Sequence, residues 1–320
     1  MTERSLNRVY SSRAMRRRYE VWFLRFQLAD GRGAWWFRYL LMNLGREGGG
    51  GCPGHRQGLP VQVWATWFPR QGTPQSYIQG FRQDDLSLSD RGASPFYLEV
   101  GENRIGEEMC RGQLSVNGHR LTWELHYRST VHTTMTEVGW IGFSRTPHSD
   151  AIFSGTITLD GHTFAGDPLG FGLQGHNCGF RHRHLWNWTH CLFTDEHGRP
   201  MSTFEALEYE MPLGLRFRKA LLWHRGELHT FRKLRAIARD RHHLQWAFTG
   251  LEPDGSVVTA IIDGRGPSIH RLPYLRTDCS STFEVANNSL ARATLYIHRP
   301  GEPLEQLTTD GGAVLEMAGD

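Results

Sequence analysis

The feature that most constrains the fold is a succession of short apolar runs with a period of two, separated by turns rich in Gly and Asp. In HRLTWELHYRS, the residues Leu121, Trp123, Leu125 and Tyr127 alternate with polar residues, the pattern of a strand that buries one face. Similar runs follow one another as far as ATLYIHR. Only residues 228–240, with apolar residues at threefold spacing, compete as a helix. The sequence therefore predicts an all-β protein.

The clearest single element is a hairpin near the start of the chain. Two aromatic-rich runs, 19–29 and 34–41, flank the turn sequence Asp30-Gly31-Arg32-Gly33. The segment LWNWTHCLFTDEHGRPMSTFEALEY repeats this arrangement around Asp195 and Gly198. Asp30 and Asp195 would then be equivalent positions, which indicates two similar β-units.

Many short strands predict closed barrels, because closing a sheet removes its exposed edges. The 320 residues are expected to form a flexible N-terminus (1–18) and two consecutive lipocalin-like, or calycin, β-barrel domains (19–170 and 171–320). A barrel of about eight strands can hold one apolar molecule, so a ligand cleft is expected at or near the junction of the domains. The Gly-rich segment 45–58, GREGGGGCPGHRQG, is expected to be a mobile flap.

Charge and hydropathy exclude several classes of protein. The net charge is only +3, acidic residues are interspersed along the chain, and residues 13–18 form the one basic cluster, so a nucleic-acid partner is not expected. No run approaches the roughly 20 apolar residues of a membrane-spanning helix, so any membrane contact would be peripheral. Near the N-terminus, Glu20 and Arg25 interrupt the single candidate for a signal peptide, and the expected location is cytoplasmic.

The cysteines give no sign of a disulfide framework or a zinc ribbon. Their number is odd and CxxC spacing is absent, so most are expected to be buried, unreactive thiols. They are Cys52, Cys110, Cys178, Cys191 and Cys279.

The stretch GLQGHNCGFRHRHLWNWTHCLF, residues 172–193, concentrates the side chains that bear chemistry. It contains five good metal ligands whose spacings match no familiar zinc signature, so neither a metal nor a cofactor is predicted. These ligands are His176, Cys178, His182, His184 and His190. A nucleophilic Cys178 or Cys191 beside a histidine is a second interpretation, but adjacency in sequence does not create a thiolate.

A third interpretation uses the alternation of the strand that ends this stretch. Trp186, Trp188 and His190 would lie on one face, opposite Asn187, Thr189 and Cys191. Two indoles and an imidazole in a row suit the wall of an apolar pocket, although the same stripe is also typical of a plain core.

Three motifs resemble those of the lipocalin-like superfamily that contains carotenoid 1,2-hydratase and AttH-type proteins. They are His176-Asn177-Cys178-Gly179, the Trp-x-Trp-x-His of residues 186–190, and Glu20-Val21-Trp22-Phe23 in the first strand; FSGTITLDG, residues 153–161, also fits. The chain departs from the family pattern at Cys178, where a Trp is usual, and at Val21, where an aromatic residue is usual.

The resemblance implies an enzyme that acts on an apolar isoprenoid, polyene or polyketide-type molecule by hydration, cyclisation or isomerisation, without a redox cofactor. Members of the superfamily hydrate carotenoids, close tocopherol-type rings and carry out Diels–Alder cyclisations. The alternatives are therefore a pericyclic cyclase of secondary metabolism and a non-catalytic lipid or pigment binding protein. Fold resemblance alone does not choose among them, and the oligomeric state stays open.

Protonation of an alkene would require a buried, protonated carboxyl group. Candidates in apolar strand-like runs are Glu20, Glu205, Glu208 and Asp263. Glu20 is favoured by its motif, and a buried salt bridge with Arg38 is its alternative role.

The remaining site candidates would bind the substrate or move protons. Histidines 176 and 190 could accept a proton or direct water, and the predicted substrate contacts are Trp22, Trp123, Asn177, Trp186 and Trp188, whose indoles would stabilise a carbocation. In a pericyclic reaction His190, Asn177 or an arginine would instead hydrogen-bond a carbonyl.

Overall fold

A computed structural model describes residues 6–12, 17–46, 49–55, 58–90, 93, 95–138, 141–180, 185–196 and 198–319. Within these ranges the regular structure consists of β-strands and two short 3-10 turns, Gln83–Asp85 and Pro212–Gly214. No helix among the described residues has the length and apolar character needed to cross a membrane. The predicted all-β class is confirmed.

The first twelve strands form one antiparallel sheet with the order β4-β3-β2-β1-β12-β11-β9-β8-β7-β6-β5, and β10 pairs with β11. The strands are β1 (Tyr19–Leu28), β2 (Gly33–Met42), β3 (Val61–Pro69), β4 (Gln75–Phe81), β5 (Leu86–Leu88), β6 (Tyr97–Val100), β7 (Asn103–Gly106), β8 (Met109–Val116), β9 (His119–Arg128), β10 (Thr133–Val138), β11 (Gly142–Leu159) and β12 (His162–Gly179).

The remaining ten strands form a second antiparallel sheet with the order β16-β15-β14-β13-β22-β21-β19-β18-β17, and β20 pairs with β21. They are β13 (Trp186–Thr194), β14 (Pro200–Glu210), β15 (Arg216–His224), β16 (Glu227–Phe231), β17 (Lys233–Asp240), β18 (Gln245–Leu251), β19 (Val257–Asp263), β20 (His270–Leu275), β21 (Thr282–His298) and β22 (Glu305–Ala318).

The two sheets repeat one topology. In each, the first strand pairs with both the second and the last strand: β1 with β2 and β12, and β13 with β14 and β22. The hairpin turns also correspond, because Asp30 accepts hydrogen bonds from the backbone and side chain of Arg32, and Asp195 accepts the same pair from Arg199. The similarity of two β-units predicted from Asp30 and Asp195 is therefore present in the fold.

Each sheet rolls around its own apolar interior, and β4 lies against β8 while β15 lies against β17. Trp22, Leu24 and Phe26 of β1 point into the first interior, and Cys191 and Phe193 of β13 point into the second. The opposite faces of β1 and β13 meet in a third apolar cluster, between the sheets. Both faces of these two strands are consequently buried, and the space between the barrels lies along them.

Two strands occupy the segment that competed as a helix. In residues 228–240, Phe231 and Leu234 are buried while Leu228 and Ile237 are 51% and 60% exposed, so the threefold spacing does not mark one buried face. The helical alternative is wrong for this segment. Pairing of β16 with β15 and of β17 with β18 fixes the segment as strand.

The structure also differs from the sequence expectations at the boundary between the two domains, in the N-terminal segment and in the Gly-rich segment. Strand β12 runs through residues 170 and 171, so the first sheet extends to Gly179. In the N-terminal segment, residues 6–12 pack against the first barrel and bury Asn7, Val9 and Ser11. In the Gly-rich segment, Gly50 and Gly51 are buried and Cys52 is bonded to Cys279, so residues 50–52 are packed against the protein while residues 49 and 53–55 are exposed.

Candidate functional site: a cavity between the two sheets

A cavity of about 420 Å³ lies between the outer faces of the two sheets. This volume falls in the range of small-molecule sites, roughly 300–1,000 Å³. Its wall is mainly aromatic and aliphatic. The residues that define it here are Val21, Phe23, Trp36 and Arg38 from the first hairpin, Asn177 from β12, and Trp186, Trp188, Leu207, Tyr209, Tyr274 and Glu316 from the second sheet.

Strand alternation places these side chains. On β1, Val21 and Phe23 face the cavity because the residues between them face the first barrel. On β13, Trp186 and Trp188 face the cavity, while Cys191 faces the second barrel, the alternation expected from the sequence. Trp188 meets the edge of Phe23 with ring centroids 5.7 Å apart, so equivalent strands of the two sheets build facing walls.

One end of the cavity is polar. The guanidinium carbon of Arg38 lies 4.7 Å from the ring centre of Trp64, 4.4 Å from that of Tyr274 and 5.6 Å from that of Trp36. The cation lies over the faces of these three rings, where cation–π attraction operates. Arg38 is only 6% exposed, yet its Nη1 has no hydrogen-bond partner among the described residues.

Glu316 of β22 is the carboxyl group in the cavity wall. Its Oε1 accepts a hydrogen bond of 2.9 Å from Nε1 of Trp186, and the residue is 8% exposed. Burial raises the pKa of Glu316, because desolvation disfavours the carboxylate, while the positive charge of Arg38 acts in the opposite direction. The site therefore contains a carboxyl group with an increased tendency to hold a proton.

The favoured sequence candidate, Glu20, lies inside the first barrel and outside the cavity wall. Its Oε1 is 2.9 Å from Nε2 of His176, and its carboxylate accepts hydrogen bonds from the backbone N–H groups of Tyr10 and Ser11. Trp22 stacks on His176 at 4.5 Å. Because the even-numbered residues of β1 point into the first barrel, Glu20, Trp22 and His176 form a buried network that the sheet separates from the cavity. The salt bridge considered between Glu20 and Arg38 is not formed, and Glu20 contacts His176 instead.

Glu205 lies behind the cavity wall. It accepts hydrogen bonds of 2.9 Å from Trp188 Nε1, Thr133 and Thr146. Burial raises the pKa of Glu205, and these hydrogen bonds oppose the shift. Because the carboxyl group holds the indole of Trp188 from behind, its geometry suits positioning the cavity wall.

His190 is fully buried at the junction of the sheets, with Nε2 2.9 Å from the carbonyl oxygen of Ser149. Burial lowers the pKa of His190 to about 3, and the neighbouring cation of Arg25 acts in the same direction. The imidazole is thus neutral at physiological pH, and His190 is not among the residues that line the cavity.

Asp263 and Trp123 lie away from the cavity. Asp263 forms an ion pair of 2.7 Å with Arg265 at the surface, and hydrogen bonding from Arg265 lowers its pKa. Trp123 belongs to the first barrel's interior, where its Nε1 donates to Sγ of Cys110 at 3.3 Å. The structure therefore brings together only Asn177, Trp186 and Trp188 of the ten predicted site residues.

The cysteines divide into two groups. Cys52 and Cys279 form a disulfide between the first and second halves of the chain, which the odd number and the spacing of the cysteines gave no reason to expect. Cys110, Cys178 and Cys191 are free and buried, and burial raises the pKa of each thiol to about 12. Such thiols stay protonated, which disfavours the nucleophile interpretation of Cys178 and Cys191.

Metal ligation has no geometric support in the described part of the chain, where three or more metal-binding side chains do not cluster. His182 and His184 lie outside the described residues. His176, the first ligand of the motif, is engaged with Glu20.

Sequence reasoning missed Glu316 and gave Arg38 a different role. Glu316 lies in GGAVLEMAG, a lone carboxyl group in an apolar strand-like run, which is the same signal that selected Glu20 and Glu205. Arg38 lies in an aromatic strand between Phe37 and Tyr39, and alternation alone could not tell whether it faces the barrel or the cavity.

No family model matches the chain, and no curated protein matches its sequence. Solved structures with the same fold include CghA with Sch210972 (8% identity, 95% of this chain and 88% of that chain, TM-score 0.59) and kievitone hydratase from Nectria haematococca (11% identity, 99% and 95%, TM-score 0.56). A third, described as AttH from Nitrosomonas europaea, has 12% identity over 97% and 94% of the two chains and a TM-score of 0.51.

These similarities define the class of fold. The chain has the double lipocalin-like β-fold shared by these three proteins, so the resemblance seen in the sequence motifs is confirmed at the level of fold. In this chain the fold encloses a mainly apolar cavity of small-molecule size at the junction of its two sheets.

Proposed function

We propose that this protein is an enzyme that binds an apolar small molecule in the cavity between its sheets and catalyses hydration, cyclisation or isomerisation there, without a redox cofactor. The observation that carries the proposal is an aromatic cavity of about 420 Å³ with the buried carboxyl group of Glu316 in its wall. Proteins with the same fold include a hydratase, kievitone hydratase, and a cyclase, the Diels–Alderase CghA.

In the proposed reaction Glu316 is the proton donor. Its raised pKa increases the protonated fraction near neutral pH, so turnover should fall as the pH rises through that pKa. Trp186 and Trp188 present aromatic surface that would stabilise a developing positive charge on the substrate, each by on the order of 1–2 kcal/mol in a dry site. Asn177 keeps its proposed substrate contact, and Glu205 positions Trp188.

Two alternatives remain open and predict different results. A pericyclic cyclase would fold the substrate into a reactive shape, so changes of cavity shape at Trp188 would be severe and loss of the Glu316 proton mild. A lipid or pigment carrier would bind its ligand without altering it.

The test is to incubate purified protein with extracts of isoprenoid, polyene and polyketide compounds and to identify bound and transformed molecules by mass spectrometry. Glu316→Gln should keep binding but lose turnover by about 10²-fold or more, whereas the exposed Glu124→Gln should match the unmodified protein. Val21→Phe, which fills the cavity, should abolish binding, and Ile261→Phe at the surface should not. Binding that survives Val21→Phe would place the site elsewhere and overturn the proposal.

The proposal includes a cytoplasmic location, a small-molecule partner, no nucleic-acid partner, and membrane contact that is peripheral at most. Cys52–Cys279 provides the test of location, since disulfides are rare in the cytosol and persist in oxidising compartments. Thiol blocking in denaturant at the moment of cell lysis, which exposes the buried thiols as well, should label all five cysteines in a reducing compartment. Labelling of only Cys110, Cys178 and Cys191 would instead assign the protein to an oxidising compartment.

A further inference from the structure

The cavity wall contains four buried polar atoms without a hydrogen-bond partner among the described residues. They are two donors, Arg38 Nη1 and Trp36 Nε1, and two acceptors, Asn177 Oδ1 and Glu316 Oε2. Buried polar atoms are nearly always hydrogen-bonded, because an unpaired one loses its hydration without replacement. Four such atoms around one cavity indicate a binding partner with polar groups of its own.

The two side chains that carry these donors are neighbours. Trp36 and Arg38 are two residues apart on β2 and share its cavity-facing side, and the guanidinium carbon is 5.6 Å from the indole ring centre. The rings of Trp64 and Tyr274 pack against the guanidinium group and restrict its position, while its Nη1 has no hydrogen-bond partner among the described residues. The arrangement is a rigid pair of donors, one of them cationic.

A pure hydrocarbon does not fit this end of the cavity. Covering Arg38 with a hydrocarbon would remove the hydration of a cation and offer no acceptor in return, which is among the most unfavourable burials in proteins. A carbonyl oxygen is the better match, since it accepts two hydrogen bonds and gains further from the cation when it acquires negative charge.

We propose that the ligand of the cavity is an apolar molecule with a conjugated carbonyl group, whose oxygen is held by Arg38 and Trp36. This inference rests on the proposed function and narrows its substrate class from apolar small molecules in general to α,β-unsaturated carbonyl compounds. With this substrate class the charge that develops during reaction is negative and lies on the enolate oxygen, where the two donors stabilise it in the manner of an oxyanion hole. Trp186 and Trp188 then provide apolar contact with the substrate and do not need to stabilise a cation.

The chemistry balances with groups already in the cavity. In a hydration, the oxygen of water bonds to the β-carbon, and the electrons of the carbon–carbon double bond shift to give an enolate at the oxygen beside Arg38. The Glu316 carboxyl group gives its proton to the α-carbon, and the proton released by the attacking water returns to the Glu316 carboxylate. In a ring closure, a hydroxyl group of the substrate takes the place of water.

The experiment compares two probes of similar size and shape, chalcone, which contains the conjugated carbonyl, and trans-stilbene, which lacks it. Binding is measured by quenching of tryptophan fluorescence in the full-length protein. Variants Arg38→Met and Trp36→Phe remove the donors, with the second keeping an aromatic ring in place. The surface variant Arg292→Met is the matched control, because its side chain is 73% exposed.

The unmodified protein should bind chalcone at least about tenfold more tightly than stilbene, as expected for a hydrogen bond to a charged donor. Arg38→Met should abolish this preference and Trp36→Phe should reduce it, while stilbene affinity stays within about twofold. Bound chalcone should also show a carbonyl stretch at lower frequency, and this shift should disappear in Arg38→Met.

Equal affinity for the two probes, or a preference that persists in both variants, would overturn the carbonyl inference and leave the proposed apolar site standing. Failure of both probes to bind counts against the proposed function itself. If Arg38→Met does not fold, the comparison of Trp36→Phe with Arg292→Met decides the result, since Trp36→Phe removes one N–H group and keeps the packing.

Discussion

At the scale of single residues, burial moves the ionisable groups at the junction of the sheets toward their neutral forms. His190 is fully buried and its pKa falls to about 3, whereas the pKa values of the buried carboxyl groups Glu205 and Glu316 rise. Both directions follow from desolvation, which penalises whichever form is charged. The consequence is a stability that depends on pH in ways that can be assigned to particular side chains.

His190 should make the protein less stable in mild acid. An unfolded histidine has a pKa near 6.5, so between about pH 6.5 and the folded value of about 3 the unfolded chain binds the extra proton. The contribution of His190 to the free energy of unfolding is therefore complete above pH 6.5. It decreases as the pH drops through this window, by about 2 kcal/mol at pH 5. In His190→Gln the fall between pH 7 and pH 5 should be smaller by about that amount, measured by urea unfolding.

The exposed residue His298 provides the control, and His298→Gln should leave the pH profile unchanged. Because Glu205 and Glu316 contribute in the opposite direction, the difference between each variant and the unmodified protein is the quantity to compare. A His190→Gln profile that overlays the unmodified one would show that His190 does not titrate as buried and neutral.

At the scale of elements, the presence of strands and the alternation of their side chains could be predicted from the sequence. Whether a given face of a strand packs in a barrel interior or lines the cavity could not. On β13 the alternation of Trp186 and Trp188 could be read directly, and both line the cavity. On β1 the same pattern put Glu20 in the site, whereas it points into the first barrel. Both faces of β1 are buried, so hydrophobicity carries no information about which face meets which partner.

Glu316 and Arg38 were hidden for a related reason. Each becomes a site residue through strands distant in sequence, since β22 pairs with β13 and β2 faces the second sheet across the cavity. The hairpin turns at Asp30 and Asp195, by contrast, are set by local residues and could be predicted. Local hydrogen bonding is encoded within a few residues, whereas the meeting of two barrels is not.

The close approach of β1 to β12 should be sensitive to one methyl group. A Cβ added at Gly172 would lie 1.9 Å from the backbone oxygen of Arg25, so the strands would have to separate. Gly172→Ala should destabilise the protein by about 2 kcal/mol or more and weaken chalcone binding, because Val21 and Phe23 are carried by the displaced strand. Urea unfolding and fluorescence quenching measure the two effects.

The exposed substitution Glu124→Ala on β9 is the reference for Gly172→Ala and should change neither property. If Gly172→Ala unfolds at the same urea concentration as the unmodified protein, β1 and β12 can accommodate a methyl group at Gly172 and the predicted close approach is wrong.

At the scale of the whole molecule, two barrels are held together by a buried cation and a disulfide as well as by apolar packing. Arg25 of β1 donates to the backbone carbonyl oxygens of Ser289, Gly311, Gly312 and Ala313 in the second sheet. Burial lowers the pKa of Arg25 to about 9, so the side chain remains charged at neutral pH. These links hold the two walls of the cavity at a fixed separation.

Removal of the Arg25 guanidinium should uncouple the barrels. Arg25→Met leaves four carbonyl oxygens buried without that donor, and the cost should be about 3 kcal/mol or more, since hydrogen bonds to charged groups are the strong ones. Because the loss falls at the junction and each barrel keeps its own interior, calorimetric unfolding should separate into two transitions. Chalcone affinity should fall in parallel as the cavity walls lose their fixed spacing.

Arg292→Met, which removes an exposed guanidinium from the same protein, should retain the unfolding profile and the affinity of the unmodified chain. A single transition at an unchanged temperature in Arg25→Met would mean that apolar packing and the disulfide alone couple the two halves.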